Sequence, residues 1–231
     1  MKKYSKHLIV ITGDKGGVGK SFTARTVADH LLLQDIKFRA FDTDRTNATF
    51  CRFYPDMVEC IDVDNPHDLD QLLTELSAVD TTFLMDCAAR TMDSMLKWIH
   101  EIDLLNLKEE LGITLTLVFV LGPEKDCIQI LTDVVAEFGN HVNYLIVKNL
   151  SRGKNFEIYE NSGLRKKLLE ELKAQEIELP VLLEKTALHV DRINLSWNDA
   201  VTHPSLQIAD RQRVKLYRNK MNEILKERLA V

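Results

Sequence analysis

The sequence predicts an α/β fold in which helices cover both faces of a doubly wound, mostly parallel sheet. Three observations point to it. Short, nearly continuous apolar runs recur along the chain, segments with helical spacing separate them, and a glycine-rich loop follows the first run. Strands that are buried on both faces of a parallel sheet show such runs, whereas half-exposed strands alternate between apolar and polar residues.

The predicted strands follow one another along the chain, and helix-like segments lie between them. The apolar runs are HLIVIT, KFRAFD, TTFLMD, TLTLVFVL and VNYLIVKN. Apolar-facing positions with helical spacing occur at Phe22, Thr26, Val27 and Leu31, and again at Ile128, Leu131, Val135 and Phe138. After Leu150 the pattern is mostly helical, with a short strand or turn at IELPVL and a final helix over about 204–229.

Length and composition indicate one globular domain. The chain has 231 residues, with no internal repeat and no linker rich in Gly, Ser or Pro, so we predict a single domain over 1–231. Apolar residues make up 45% and charged residues 28%, which excludes a disordered chain. The net charge of −5 excludes a generally basic nucleic-acid coat but allows a local basic face.

The apolar runs and the cysteines favour a cytoplasmic protein. No run is long enough to span a bilayer, and the first leads into a glycine loop without a cleavage site, so we expect a first strand there. The cysteines form no CxxC pair, which argues against a zinc knuckle or a disulfide framework; they are Cys51, Cys60, Cys87 and Cys127. We therefore expect reduced, structural thiols.

The glycine loop GDKGGVGKS contains most of the phosphate-binding pattern GxxxxGK[ST]. Gly19, Lys20 and Ser21 occupy its last three fixed positions, and Gly13 lies one residue before its first, between a predicted strand and a predicted helix. Glycines let backbone N–H groups turn toward a polyphosphate, Lys20 can reach the terminal phosphates, and the Ser21 hydroxyl can hold Mg²⁺. The alternative is a glycine-rich turn that binds nothing. Because the final GKS of the pattern and both flanks agree, we predict a P-loop NTPase fold.

The string KGGVGKS resembles the deviant Walker A motif of the ParA/MinD family of ATPases. The resemblance implies that its signature lysine, here Lys15, crosses a homodimer interface to the phosphates of the partner's ATP. A lysine supplied in trans neutralises the charges that two facing nucleotides bring together; the alternative is a solvated loop charge. We expect Lys15 and Lys20 to be catalytic. The residues expected to bind nucleotide are Gly13, Asp14, Lys15, Gly16, Gly17, Val18, Gly19, Lys20, Ser21 and Phe22.

Three aspartates follow predicted strands and should lie at one edge of the sheet. Asp42 and Asp44 end the run RAFDTD, and Asp86 ends TTFLMD. Phosphoryl transfer needs carboxylates that hold Mg²⁺ and place the attacking water. The family resemblance implies that Asp44 polarises the hydrolytic water, that Asp42 lies near the metal, and that Asp86 is the Walker B aspartate, which ligates Mg²⁺ with Ser21. Each alone could instead be a cap or turn residue.

The base pocket is predicted from YLIVKNL. In the resembled family, an asparagine at this strand end, here Asn149, reads the adenine edge through its amide. No aspartate follows three residues later, so the NKxD pattern of guanine readers is missing and we expect ATP rather than GTP. Pro180, in ELPVL, lies where a later loop of the family lines the base, although a proline in a turn needs no ligand.

A closer resemblance covers part of the chain. FDTDRTNATF and LQIADRQRVKLYRNKM look like plasmid-encoded relatives of TraL and StbB, which act in conjugative transfer and plasmid stability. Both switch segments depart from the wider family, because Arg45 follows the DxD instead of proline and CAAR follows Asp86. We therefore expect slow or partner-dependent hydrolysis. Arg45 or Arg90 could stabilise transferred charge, but solvated surface arginines are the simpler interpretation.

The predicted C-terminal helix carries apolar residues at helical spacing and many lysines and arginines on its other faces. Three interpretations compete: a core-packing helix with a charged exterior, a basic patch that contacts DNA phosphates, and a membrane-surface helix. The third ranks last, because the apolar side offers neither Trp nor Phe. A membrane partner is therefore not expected.

The leading hypothesis is a Mg²⁺-dependent ATPase switch that dimerises on ATP and acts in plasmid positioning or transfer. Its expected partner is a small plasmid-encoded DNA-binding adaptor or transfer protein, with DNA reached indirectly or through the C-terminal helix. Two alternatives are an ATP-binding module with little turnover and a metabolic P-loop ligase. An iron-protein role is disfavoured, because the contexts of Cys87 and Cys127 do not match that family.

Overall fold

The computed structural model describes residues 6–13, 16–88 and 91–229. Its strands form one seven-stranded sheet in which every neighbouring pair is parallel. The strands are β1 (Lys6–Gly13), β2 (Phe38–Asp42), β3 (Val58–Cys60), β4 (Thr82–Asp86), β5 (Ile113–Leu121), β6 (Asn143–Asn149) and β7 (Gln175–Leu179). Their order across the sheet is β3-β2-β4-β1-β5-β6-β7, which confirms the predicted doubly wound α/β fold.

Helices cover both faces of the sheet. One face carries α1 (Lys20–Leu33), α2 (Thr49–Phe53), α9 (Glu184–Arg192), α10 (Trp197–Ala200) and α11 (Ile208–Arg228). The other carries α3 (Pro66–Ala78), α4 (Met92–Glu101), α5 (Leu104–Leu111), α6 (Lys125–Phe138), α7 (Glu157–Glu160) and α8 (Gly163–Lys166), which continues into a π-helical turn over Lys167–Glu171. Each face has its own apolar core, because the central strands are buried on both sides.

The strand order reverses at β1, and this places a crevice at the carboxyl edge of the sheet. The chain moves from β1 toward β2 on one side, and later toward β5 and β6 on the other. Asp42 and Asp86 are direct register partners on β2 and β4, and Ile11 pairs with Asp86 on β1. Open α/β sheets bind ligands at such a reversal, beyond the carboxyl ends of the strands. Asp42 and Asp86 therefore meet at the expected edge.

Helix α11 packs against α1, as the core-packing interpretation of the C-terminal segment predicts. It buries Val214, Tyr217, Met221 and Leu225. The Arg218 guanidinium donates to both carboxylate oxygens of Asp29 on α1, with distances of 2.8–3.0 Å, and both side chains are largely buried. One arginine of the predicted basic face is therefore part of the helix–helix contact.

The predicted start of the C-terminal helix, at about 204, is wrong by four residues. Residues 204–206 form a turn in which the Leu206 N–H donates to the His203 carbonyl at 3.1 Å, and Leu206 is 2% exposed. Gln207 then has an extended conformation before the helix begins at Ile208. Burial of the Leu206 side chain explains the turn.

Within the described residues, no helix combines the length and apolar character that crossing a bilayer requires.

Candidate nucleotide-binding site

The described part of the phosphate loop has the conformation that its glycines predict. It leaves β1 at Gly13 and enters α1 at Lys20. Gly17 and Gly19 have φ angles of 82° and 109°, in the left-handed region that favours glycine. The Gly19 carbonyl accepts the first helical hydrogen bond, from Thr23 N at 2.9 Å. Two residues of the predicted loop, Asp14 and Lys15, lie outside the described residues, so the trans role of Lys15 stays a prediction.

Close contacts explain two of the loop glycines further. A Cβ atom at Gly19 would lie 2.4 Å from the Asn149 side-chain nitrogen, and one at Gly13 would lie 2.7 Å from the Val120 carbonyl oxygen. A Cβ atom at Gly16 would meet nothing within 4 Å. The loop thus needs glycine at its two ends to fit against β5 and β6, and Gly16 is free of that packing requirement.

A polar cavity of about 320 Å³ lies between the phosphate loop and the ends of β2 and β4. Its lining residues are Gly16, Gly17, Gly19, Lys20, Ser21, Phe22, Asp44, Asn47, Thr49, Asp86, Cys87 and Ala88. Lys20 is 7% exposed, so its ammonium group acts in a largely dehydrated setting, where charge–charge attraction is strong. The structure therefore brings the loop and two of the three predicted aspartates around one cavity.

Asp86 fits the predicted metal site. It is 2% exposed, and its Oδ1 atom has no hydrogen-bond partner. Burial raises the pKa of Asp86 to about 7, and the hydrogen bond with Ser21 and the charge of Lys20 only partly offset this effect. A buried oxygen without a partner, next to a hydroxyl and facing a phosphate loop, suits Mg²⁺, which takes few protein ligands and completes its shell with phosphate and water.

No group of three or more His, Cys, Asp or Glu side chains in the described ranges could form a cage for a metal ion. A cation at the Ser21–Asp86 pair would depend on the nucleotide for its remaining ligands. It would also favour the ionised form of Asp86 and so reverse the effect of burial on its pKa.

Asp42 is fully buried and accepts hydrogen bonds from nearby backbone N–H groups. Its Oδ2 atom accepts N–H groups from Phe50 at 2.8 Å and Cys51 at 3.3 Å, in the first turn of α2, and its Oδ1 accepts from Asp44 N at 2.9 Å. Burial raises the pKa of Asp42, although these N–H groups partly offset the effect. The hydrogen bonds that Asp42 makes in the structure cap helix α2. Asp42 is absent from the lining of the phosphate cavity, so its proximity to a metal stays a prediction.

Asp44 lines the phosphate cavity from a turn that it stabilises itself. Its Oδ1 atom accepts N–H groups from Thr46 at 3.1 Å and Asn47 at 3.0 Å, and its Oδ2 accepts the Asn47 amide at 3.1 Å. Burial would raise the pKa of Asp44, but these bonds and the nearby charge of Lys20 outweigh it and lower the pKa. An ionised carboxylate therefore faces the cavity opposite the loop.

Thr43 is a residue that the sequence analysis missed. Its N–H donates to the Asp86 carbonyl at 3.0 Å, and its hydroxyl oxygen accepts from Ala88 N at 2.8 Å. These bonds join the two segments that carry the predicted aspartates. A threonine between two aspartates carries no such signal in sequence, since its partners lie 43 and 45 residues farther along the chain.

A second cavity, of about 570 Å³, adjoins Phe22 and contains the predicted base-binding residues. It is lined by Phe22, Arg25, Asn149, Ser151, Arg152, Pro180, Val181, Leu182, Glu184, Ala187, Leu188 and Asp191. Its lining combines apolar side chains with an equal number of polar or charged ones, which can orient a ligand. Because Phe22 lines both cavities, one ligand could occupy the two together.

The Asn149 amide is engaged within the protein. Its nitrogen donates to the Val18 carbonyl of the phosphate loop at 2.6 Å, and its oxygen accepts from the Ser151 N–H at 3.1 Å and hydroxyl at 2.7 Å. Asn149 thus stabilises the phosphate loop from the side of the base cavity. One N–H of the Asn149 amide takes no part in these bonds. Its contact with an adenine edge stays a prediction, as does the contact of Pro180 with the base.

The base cavity is backed by aromatic packing that reaches α10 and α11. Phe22 makes edge-to-face contacts with Trp197 and Tyr217, with ring centroids 5.0 and 5.7 Å away. The buried Arg25 guanidinium lies 3.3 Å from the Phe53 ring centroid and 4.2 Å from that of Trp197. The wall of the site is therefore continuous with the α1–α11 interface.

Comparisons with known proteins agree with this geometry. The family model described as ATPase MipZ matches residues 7–105, a segment that contains the phosphate loop and all three aspartates. The chain is also similar to Protein MobD of Acidithiobacillus ferrooxidans, with 24% identity over 228 residues that cover 96% of this chain and 97% of that protein.

Two solved structures share the fold. The septum site-determining protein MinD of Pyrococcus horikoshii OT3, complexed with Mg-ADP, has a TM-score of 0.56 and 15% identity, covering 97% of this chain and 99% of that one. The MinD cell division protein of Aquifex aeolicus has a TM-score of 0.55 and 14% identity, with coverage of 97% and 99%. These structures share the fold over nearly the whole chain, and the family match covers the part that carries the phosphate loop.

Proposed function

We propose that this chain is a Mg²⁺-dependent ATPase of the ParA/MinD type that acts as a molecular switch. The observation that carries the proposal is the pairing of the Ser21 hydroxyl with the buried Asp86 carboxylate, beneath a glycine loop and beside Lys20. Phosphoryl transfer depends on positioning and on stabilising charge on the phosphate oxygens, and this cavity supplies groups for both.

Each residue around the cavity has a separate task in the proposed reaction. Lys20 and the loop N–H groups hold the terminal phosphates, while Ser21 and Asp86 hold Mg²⁺, which neutralises charge on the phosphate oxygens when bound. Asp44 orients the attacking water from the opposite wall, where its low pKa keeps it ionised as a hydrogen-bond acceptor. Phe22 and the adjoining cavity hold the adenosine part.

The switch requires a change in assembly with the bound nucleotide. ATP closes a homodimer across which Lys15 contacts the partner's nucleotide, and hydrolysis reopens it. The proposed role is plasmid positioning or conjugative transfer, through a plasmid-encoded adaptor. The resemblance of two sequence strings to TraL and StbB relatives supports this role. Lys215, Lys220 and Lys226 are exposed on α11 and would supply any direct contact with DNA phosphates.

Phosphate release, measured with a malachite-green assay with and without Mg²⁺, tests the ATPase. Lys20→Ala and Asp44→Ala should each lower the rate at least about 100-fold, because the first removes the cation beside the terminal phosphates and the second removes the acceptor that orients the attacking water. Lys154→Ala, an exposed lysine outside the lining of the phosphate cavity, should leave the rate unchanged. Activity that survives both active-site substitutions would refute the mechanism. Size-exclusion chromatography with ADP and with a non-hydrolysable ATP analogue tests the dimer.

A second candidate function is an ATP-binding module with little turnover. The observation that favours it is the set of three hydrogen bonds that hold Asp44 in its own turn, because a carboxylate so engaged has less capacity for water. Two results together would favour this function over the ATPase. ATP would remain intact after prolonged incubation with the protein and Mg²⁺, and Lys20→Ala would still bind ATP more weakly than the wild type does.

A further inference from the structure

Arg152 lies at the seam between the two cavities. It follows β6, in the turn that Asn149 begins, and it lines the base cavity. Its side chain also reaches the phosphate loop: a Cβ atom at Gly17 would lie 2.8 Å from the Arg152 Nη2 atom and 3.8 Å from its Cζ. Gly17 lines the phosphate cavity. One guanidinium therefore contacts the loop on one side and borders the base cavity on the other.

The backbone that carries Arg152 is held in place from two directions. Its N–H donates to the Asn149 carbonyl at 3.0 Å, and the preceding Ser151 donates twice to the Asn149 side-chain oxygen. A Cβ atom at Gly153 would lie 2.9 Å from Pro123, so the turn also sits against the segment that follows β5. The braced turn fixes where the Arg152 side chain leaves the backbone, and from there this exposed side chain reaches Gly17.

The chemistry at this seam suits a phosphate near the nucleoside. A nucleotide with its base in the larger cavity and its terminal phosphates beside Lys20 must pass its first phosphates beneath the seam. A guanidinium offers planar, paired N–H donors that match phosphate oxygens, and its charge is permanent. Lys20 enters the phosphate cavity from α1, so Arg152 would add a second cation from the opposite side of the loop.

We propose that Arg152 binds the phosphates on the nucleoside side of the loop and thereby couples nucleotide occupancy to the turn after β6. The proposal rests on the proposed nucleotide-binding function and deepens it. Arg152 acts in cis, within one protomer, so its contribution does not require dimerisation. Together with the two cavities, Arg152 favours a nucleoside polyphosphate over a free base or a free phosphate, because only the nucleotide spans both cavities.

Isothermal titration calorimetry with ADP, AMP and adenosine tests the proposal. Arg152→Ala should weaken ADP binding about 10- to 100-fold, the usual range for the loss of a hydrogen bond to a charged group. Adenosine affinity should not change. Arg152→Lys should recover part of the ADP affinity, because it restores the charge without the planar donors. Lys154→Ala, an exposed cation two residues away, is the matched control and should bind all three ligands as the wild type does.

The ligand series separates the possible failures. Equal losses for ADP and adenosine in Arg152→Ala would overturn the phosphate assignment, since they would show a role in packing around the base. An unchanged ADP affinity would overturn it as well. Both results leave the proposed ATPase intact, provided that the wild type binds ADP. A wild-type chain that binds none of the three ligands would instead refute the nucleotide site and this proposal together.

Discussion

The phosphate cavity and the base cavity are neighbours but are built in different ways. The phosphate cavity depends on backbone: a short continuous loop, with glycines in left-handed conformations, supplies most of one wall. The base cavity depends on side chains from α1, from the turn after β6 and from residues 180–191. Backbone N–H groups recognise any polyphosphate, whereas a side-chain pocket can change its shape by substitution. The phosphate half should therefore tolerate change least.

The first test should have the largest effect. Gly19→Ala adds a Cβ atom that would collide with the Asn149 amide and force a left-handed φ of 109° on alanine. We expect ATP affinity to fall by more than about 100-fold, equivalent to roughly 3 kcal/mol. Fluorescence titration with a labelled ATP analogue measures it.

Gly163→Ala is the matched control for that substitution, because its Cβ atom would meet nothing within 4 Å and the residue lies outside the lining of both cavities. We expect its ATP affinity to lie within about threefold of the wild type, which is below 1 kcal/mol. If both variants lose affinity equally, the collision at Gly19 is not the cause, and the contrast between backbone and side-chain cavities loses its main support.

The next prediction concerns the pH dependence of the ligand-free protein. The pKa of Asp86, about 7, is raised above its unfolded value, so the neutral form is favoured in the folded state. The associated stability is present at low pH and is lost as pH rises toward 7. In EDTA at pH 8, Asp86→Asn should unfold with a free energy higher than that of the wild type by on the order of 2 kcal/mol.

That difference should shrink as the pH falls and disappear well below pH 3.8, the ordinary pKa of an aspartate, where Asp86 is protonated in both states. Urea denaturation of both proteins across this range measures it, and Asp56→Asn, at an exposed position, controls for the loss of a negative charge. A stability difference that does not vary with pH would show that the Asp86 carboxylate stays ionised throughout, against its assignment as a buried and partly unpaired group.

A smaller effect is expected on the base side. Asn149→Ala removes the brace on the Val18 carbonyl, so affinity for tripolyphosphate, which has no base, should fall about 10-fold. Any additional loss measured with ATP reports contact between the amide and the base. Asn143→Ala, at the exposed start of the same strand, is the control. If tripolyphosphate binding is unaffected, the amide does not support the loop.

The smallest effect should follow from Thr43→Val, which keeps the shape of the side chain but removes the acceptor for the Ala88 N–H. We expect the protein to lose about 1 kcal/mol of stability, because one buried donor loses its partner. Chemical denaturation measures that loss. In hydrogen exchange, faster exchange at Ala88 with no change at Val118 would show that Thr43 joins the two aspartate segments locally.

The parallel sheet, and the edge of the sheet where the aspartates lie, could be predicted from the sequence because each signal is local. Continuous apolar runs mark strands buried on both faces, and the string GKS between a strand and a helix is typical of a phosphate-binding loop. Sequence patterns missed the short strand β3, because its burial alternates little over three residues. They also placed the start of the last helix too early, since the turn at Leu206 depends on where that side chain is buried.

What the sequence alone determined about this protein is its class of fold, its phosphate loop and the order of its three aspartates. Only the tertiary structure decided which groups face the site: it turned Asp42 toward the α2 backbone, left an oxygen of Asp86 unpaired, and laid Arg152 over Gly17. Spacing along the chain specifies local backbone geometry. The direction and partners of a side chain depend on contacts between residues far apart in sequence, and those exist only once the sheet has assembled.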